Sequence, residues 1–360
     1  MSTAFTPHER EHQLTAWVAK QFDSTPASIE LTPIASDAGF RRYFRFTSPS
    51  QWLAVDAPPQ TEDSRQFIAL ARFLSEHNVT TPKILAADEN LGFLLVEDFG
   101  DELLHRHLTP NKADELYREA FTSLIQLARC PDQPSLIPRY DLELLRRELG
   151  IFTEWFVGAL LGYSLSANEN TMLDTLFTAL ESSALAQPQC VVHRDFHSRN
   201  LLISNDNSLG VIDFQGALWG GCTYDLVSLL RDCYIRWPAQ QVTDWALEYR
   251  QTAINAGLLN PHIDEQTYLR WFDWMGLQRH IKVLGIFARL NLRDGKSHYL
   301  KDLPLAIRYT LEVAQAYPEL QPFADWFCDK LLPLAEQQAW YSDYRQAGND
   351  SGSNSGSNNL

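Results

Sequence analysis

Val191-Val192-His193-Arg194-Asp195-Phe196-His197-Ser198-Arg199-Asn200, followed by Val211-Ile212-Asp213-Phe214-Gln215, is the part of the chain whose reading decides the fold. Between these stretches, Leu201-Leu202-Ile203 and Gly210-Val211-Ile212 flank Asn205-Asp206-Asn207-Ser208. Two short β-type runs around a polar turn signal a hairpin. A hairpin that begins at Asn200 and ends at Asp213 brings those two side chains close in space. One amide and one carboxylate suit Mg²⁺, which takes oxygen ligands and few of them from protein. Asp195, five residues before Asn200, is a carboxylate able to accept or orient the proton of an attacking hydroxyl. The logic of the whole set is phosphoryl transfer. A lone H-x-D would carry little weight, whereas aspartate, the step to asparagine, the hairpin and I-D-F together are specific.

Outward from this stretch, the two halves of the chain read differently. From Ile29 to Asp98 short β-type runs dominate, among them RYFRF, WLAVD, KILAAD and GFLLVED. Phe67, Leu70, Ala71 and Leu74 interrupt them at i, i+3, i+4, i+7, the stripe of an amphipathic helix. The spacing predicts a small α+β lobe on an antiparallel sheet. After Gly100 the periodicity turns helical over Leu116–Ala128, Leu142–Phe156, Thr171–Leu185 and most of Asp244–Leu334. The expected division is 1–98, 99–346 and a tail, 347–360, whose Gly/Ser/Asn composition reads as disordered.

Composition narrows the partners. The 360 residues are 45% hydrophobic and 12% aromatic, enough for a sizeable core, so wholesale disorder is excluded. With 30 Lys+Arg against 45 Asp+Glu the formal charge is −15, which disfavours a nucleic-acid backbone or an anionic membrane as partner. Five cysteines, with no C-x-x-C pair, argue against a disulfide framework and a structural zinc site. The charged N-terminal residues do not read as a signal peptide. The longest apolar run, around Trp155–Tyr163, falls far below the ~20 residues of a bilayer span. The expectation is a cytoplasmic monomer acting on a small molecule.

HRDFHSRN and IDFQ, followed by Tyr224-Asp225-Leu226, resemble the aminoglycoside phosphotransferase/choline kinase group. More closely, SDAGFRRYFRF, LLVEDFGD, TYDLVSLLRDCYI and GLQRHIKVLGIFARL resemble the bacterial anomeric N-acetylmuramate/N-acetylglucosamine kinases of cell-wall recycling. The resemblance covers nearly all of residues 30–310. It implies a two-lobed protein-kinase-like fold, a small antiparallel-sheet N-lobe and a larger, mainly helical C-lobe, with ATP and Mg²⁺ as cofactors. It implies Asp195 as catalytic base and Asn200 and Asp213 as metal ligands. It further implies that His193 and Asp225 brace the catalytic loop and that backbone groups of Glu97 and Phe99 hold adenine. The acceptor it implies is the 1-hydroxyl of an amino sugar. Another small-molecule acceptor (an aminoglycoside, choline, a different sugar) is the alternative, and a pseudokinase binding module is a further one.

Two departures from that pattern stand out. Asp56 occupies the position where the N-lobe lysine is expected, and no lysine occurs between Lys20 and Lys83. Arg41, Arg42 and Arg45 are the available cations beside the single-glycine loop Ser36–Phe40. Arg42 is the first choice to reach the phosphates, with Arg41 or Arg45 as the competing outcome. Gln215 replaces the glycine of D-F-G, a position at which related small-molecule kinases also vary.

For the acceptor, Arg279, Lys282, Arg289 and Arg293 fall within one arc at ~100° per residue. They form either a solvated helix face or an anion-binding wall. Arg199, Arg231 and Arg279 are the candidate acceptor contacts, and arginines there favour an anionic acceptor over a polycationic one.

Overall fold

The computed structural model describes residues 6–34, 41–47, 50–204 and 208–348. The Ser36–Phe40 loop, the Asn205–Asn207 turn and the tail from 349 onward lie outside the described residues, and with them the expectations of a glycine loop and a disordered tail. The chain divides into two compact units, Met1–Arg106 with Arg199–Gln215, and His107–Ser198 with Gly216–Leu360. This differs from the division 1–98 and 99–346. The first unit runs on to Arg106, and the Asn200–Asp213 hairpin belongs to it. The cause is local pairing: the Ile203 N–H donates to the Glu102 carbonyl and the Val211 N–H to that of Thr80, both at 2.8 Å.

In the first unit β1 (Leu31–Ile34), β2 (Arg42–Phe46), β3 (Trp52–Asp56), β4 (Ile84–Asp88) and β5 (Phe93–Glu97) form one antiparallel sheet in the order β1-β2-β3-β5-β4. Helix α1 (Pro7–Gln21) starts at a capping box between Thr6 and Glu9, with Pro7 in its first turn. Its Leu14 and Val18 pack on Phe44, Phe46, Ala54 and Phe93 of one sheet face. Helix α2 (Ser64–Glu76) is capped by Asp63, and Phe67, Leu70, Ala71 and Leu74 are all buried, as the spacing predicts.

Four short strands further along form two pairs: β6 (Gln189–Val192) with β9 (Leu218–Gly221), and β7 (Leu201–Ile203) with β8 (Leu209–Val211). The second pair is the expected hairpin. Gly210 in β8 lies so close to Phe99 that a Cβ there would stand 2.3 Å from the ring, so the position accepts only glycine.

The second unit is helical: α3 (Ala113–Arg129), α4 (Leu142–Ile151), α5 (Ala167–Leu185), α6 (Tyr224–Leu230), α7 (Ala239–Asn255), α8 (Glu265–Asp294) and α9 (Leu303–Ala316) are its main elements. α4 runs on as a π-helix over Phe152–Leu160. The thirty-residue α8 is capped by Asp264 and closed by Gly295 in the left-handed region. A Cβ on Gly285 would stand 2.6 Å from the Ile151 carbonyl oxygen, so this glycine lets α8 press against the end of α4. Leu277, Ile281, Leu284 and Ala288, the apolar arc of α8, are fully buried in the main core. All five cysteines are unbridged thiols. Among the described residues no helix is long and apolar enough to cross a membrane.

Candidate active site

The segment His193–Ser198 leaves β6 as a loop pinned at both ends by buried aspartates. Asp225, in the first turn of α6, accepts from the His193 N–H at 2.6 Å and the Arg194 N–H at 2.9 Å. Those two bonds hold a turn in which Arg194 has φ 77°, a conformation that a non-glycine residue adopts only under local constraint. Burial pushes the Asp225 carboxyl up to about 6, against the two N–H donors and the nearby His193. Asp232 does the same work at the far end, where its Oδ2 accepts from the Ser198 hydroxyl and, at 3.0 Å, the Ser198 N–H. His193 is buried and its Nδ1 accepts from the Asp195 N–H at 3.3 Å.

Between these pins the Asp195 side chain opens into a cavity of about 430 Å³. Crowding by the protein alone would raise its pKa. The charges of Lys282, His197, Arg279 and His193 outweigh that and hold it below the usual carboxylate range. Five cations line the cavity (Arg147, Arg194, Arg279, Lys282 and Arg289) against two carboxylates, Glu148 and Asp195. Glu148 is buried and pairs with two of the five, offsetting one unit of their charge: Arg194 donates to its Oε1, and Lys282 Nζ lies 3.1 Å from its Oε2. The Tyr140 hydroxyl donates to the same carboxylate. Burial alone would raise the Glu148 pKa, but Lys282 and Arg194 bring it below 4.5.

The cationic arc of α8 is therefore mostly cavity wall. Arg279 and Lys282 are buried and Arg289 half-buried, whereas Arg293 is exposed and pairs with Asp294. Arg279 is 4% exposed, and its Nη1 donates to the Cys233 thiol, a weak acceptor, at 3.4 Å. Arg231, expected beside it, is not part of the wall. Its guanidinium pairs with Asp273 at 2.5 Å and lies over the Phe272 ring. Arg199 is half-buried and falls in the first unit with Asn200.

In that first unit, the ends of the hairpin do meet. Asn200 Nδ2 lies 3.4 Å from Asp213 Oδ2, and Gln215 Nε2 donates to Asp213 Oδ1 at 2.6 Å. Asp213 has φ 63°, a second constrained residue in the constellation. β5 ends at Glu97, and Phe99 is buried against Gly210.

The arginines beside β2 are arranged otherwise than expected. Arg42 stands opposite Asp56 in the β2–β3 register and donates to its Oδ2 at 2.6 Å, while Arg10 of α1 donates to Oδ1 through Nε at 2.8 Å. Asp56 is fully buried. The residue at the lysine position is thus an anchor that ties two strands to α1. Strand alternation does put Arg42 on the face of Phe44 and Phe46, but that face is covered by α1. Arg45 is committed to Asp98 at 2.6 Å and to Asp101.

Sequence reasoning did not single out Glu148, Tyr140, Asp232 or Arg10. The signal for Arg10 was present, because T-P-x-E before an apolar-spaced run is a helix start. Glu148 carried none, lying in an ordinary amphipathic pattern between Leu145 and Leu149.

A sequence profile of the phosphotransferase enzyme family matches residues 30–259. The chain belongs to that family. This phosphotransferase is 40% identical over 322 residues to the N-acetylmuramate/N-acetylglucosamine kinase of Pseudomonas putida, a match spanning 86% of the chain and 94% of the relative. The kinase of the same name from Pseudomonas aeruginosa is 41% identical over 321 residues, with the same shares covered. That of Neisseria meningitidis is 37% identical over 320 residues, spanning 87% and 94%.

Among solved structures, an ethanolamine kinase from Plasmodium vivax superposes with a TM-score of 0.62 at 11% identity, covering 89% of the chain and 93% of its own. The ADP-bound aminoglycoside phosphotransferase APH(2'')-Ib superposes at 0.57 and 16%, covering 84% and 98%. At these identities the likeness shows the fold, and the fold is the expected protein-kinase-like one.

Proposed function

We propose that the chain is an ATP-dependent kinase of N-acetylmuramate and N-acetylglucosamine, transferring the γ-phosphoryl group to the anomeric 1-hydroxyl. The observation that carries this reading is the cavity floored by Asp195 and walled by cations. Arg194 and Lys282 share the single charge of Glu148, and Arg147, Arg279 and Arg289 line the same cavity, which keeps an excess of positive charge. A polyamine would be repelled there. A sugar bearing a lactyl carboxylate would not, nor would a neutral amino sugar. The relatives of that name, at 37–41% identity, support the same acceptor class.

In the proposed reaction the sugar O1 forms a bond to the γ-phosphorus, the bond from that phosphorus to the β,γ-bridging oxygen breaks, and ADP leaves. Asp195 orients the 1-hydroxyl and receives its proton. Asn200 and Asp213 have the right chemistry for Mg²⁺, one amide and one carboxylate at adjoining ends of a hairpin. When bound, the ion offsets charge on the nucleotide phosphates. The backbone at Glu97–Phe99 holds adenine, and His193, Asp225 and Asp232 keep the loop in register. The enzyme acts in the cytoplasm as a monomer, with no nucleic-acid or membrane partner, in keeping with its net charge of −15.

The test is an acceptor screen by coupled ADP release, with products identified by phosphorus NMR. The expected product is the sugar 1-phosphate. Preference for an aminoglycoside or choline overturns the acceptor, and absence of turnover with every acceptor supports the pseudokinase alternative. Within the screen, Arg279→Gln is expected to raise KM for N-acetylmuramate by about tenfold or more, the worth of one charge-assisted hydrogen bond. KM for N-acetylglucosamine, which lacks the carboxylate, stays within about threefold on the same argument. Equal losses for both sugars would remove Arg279 from carboxylate recognition.

Lys282 gives a pH prediction. Asp195 must be ionised to act, and Lys282 is the strongest of the charges holding its pKa below the ordinary 3.8. Lys282→Met therefore raises that pKa and moves the acid limb of kcat/KM upward, by roughly one unit or more for an opposite charge at close range. Profiles of both proteins between pH 4 and 8 check this. An unmoved or lowered limb contradicts it.

A further inference from the structure

Arg41 is the arginine beside β2 whose guanidinium is only partly committed. It is 7% exposed, yet among the described residues its buried Nε and Nη1 have no hydrogen-bond partner. Glu62, its ion-pair partner among the described residues, has Oε2 3.0 Å from Nε but off the N–H direction, so charge is balanced while directional bonding is not. A buried guanidinium with unsatisfied N–H groups is costly to hold unless a further acceptor completes it.

Its surroundings point to what that acceptor is. The guanidinium lies over the Phe67 ring at 4.4 Å, Phe67 stacks on Phe214 at 5.0 Å, and Phe214 directly follows Asp213. Strand alternation puts Arg41 and Tyr43 on the face opposite Arg42, Phe44 and Phe46, away from the core under α1. The stacked rings thus link the Arg41 guanidinium to the residue next to Asp213, at the end of the hairpin.

We infer that Arg41 binds the phosphate oxygens of the nucleotide, in place of the lysine whose position Asp56 occupies, with Glu62 as its counterion. The inference rests on the kinase reading above. The Arg41–Glu62 pair has the chemistry of the lysine–glutamate pair that orders nucleotide phosphates in protein kinases. Here it is built from the residue preceding β2 and the residue preceding the α2 cap. The guanidinium adds a planar fork suited to two phosphate oxygens.

The experiment measures calorimetric affinity for MgATP and for adenosine, which lacks phosphates, in the full chain and in Arg41→Gln, Arg41→Lys and Arg42→Gln. Arg41→Gln is expected to weaken MgATP about 10- to 100-fold and leave adenosine within about twofold, since only charge-assisted bonds to phosphate are lost. Arg41→Lys keeps the charge but not the fork, and falls between the two. Arg42→Gln lowers the melting temperature through loss of the Asp56 pair and leaves the MgATP-to-adenosine affinity ratio unchanged. A folded Arg41→Gln protein that binds MgATP as the unaltered chain does overturns the assignment, and so does an equal loss for adenosine. Should Arg41→Gln not fold, an unchanged ratio in Arg41→Lys overturns it instead. Absence of MgATP binding to the unaltered chain removes the kinase reading itself, and the assignment with it.

Discussion

Asp195→Asn is expected to lower kcat by at least about a hundredfold, the lower end of what a positioned general base contributes, and to leave MgATP affinity unchanged. The substitution preserves shape, so the loop keeps its two pins. The Asp195 N–H still donates to His193, and Asp225 and Asp232 still accept from residues on either side. What disappears is a carboxylate that four nearby cationic or ionisable groups hold in its ionised form. An amide in the same place accepts no proton at any pH, so the loss should persist from acid to neutral conditions. Single-turnover phosphoryl transfer with saturating sugar measures the step directly. Near-normal transfer in the variant would remove Asp195 from its role. A loss of MgATP affinity as large as the loss of rate would make the residue a nucleotide-site support instead.

The part of the site that the sequence made legible is the part encoded over short distances. His193 to Asn200 is one loop, and the hairpin after it needs only the local turn signal, so Asp195, Asn200 and Asp213 could be read together. The stripe of α2 and the apolar arc of α8 were legible for the same reason: periodicity declares which face is buried. Burial of the opposite arc of α8 was not. Whether Arg279 and Lys282 meet solvent or a cavity depends on α4 and the Asp195 loop, which arrive from distant parts of the chain. Arg42 shows the same limit. Alternation along β2 correctly separated two faces, but which face carries α1 is decided by a helix that the strand pattern does not mention. The unit boundary moved because two backbone hydrogen bonds, to Glu102 and Thr80, draw the hairpin into the first unit, and backbone pairing leaves no trace in side-chain composition.

Glu148→Ala is expected to destabilise the chain by about 3–5 kcal/mol, the cost of removing one partner of a buried ion pair and leaving the other uncompensated. Here two partners are left. Arg194 cannot shed its proton, and among the described residues Lys282 keeps the Tyr224 hydroxyl, at 3.1 Å, as its hydrogen-bond partner. The Tyr140 hydroxyl loses its acceptor as well. Glu148→Gln keeps the volume and one carbonyl oxygen, so it should cost less than alanine but more than an exposed charge would. The pH dependence separates a charge effect from packing. The folded-state pKa of Glu148 lies below the ordinary 4.5, so its contribution is complete above about 4.5 and is lost as the pH falls through the lower, folded value. The stability gap between the unaltered chain and Glu148→Gln should therefore be widest near neutrality and close in acid. Denaturant titrations at neutral pH and stepwise downward from about pH 4.5 measure both quantities. A gap below about 1 kcal/mol at neutrality, the scale of an exposed ion pair, would mean that solvent reaches Arg194 and Lys282. A gap that stays constant into acid would assign the loss to packing. The expected closing gap makes Glu148 the charge around which the cavity wall is assembled: it ties down Arg194 and Lys282 and leaves Arg147, Arg279 and Arg289 facing the acceptor.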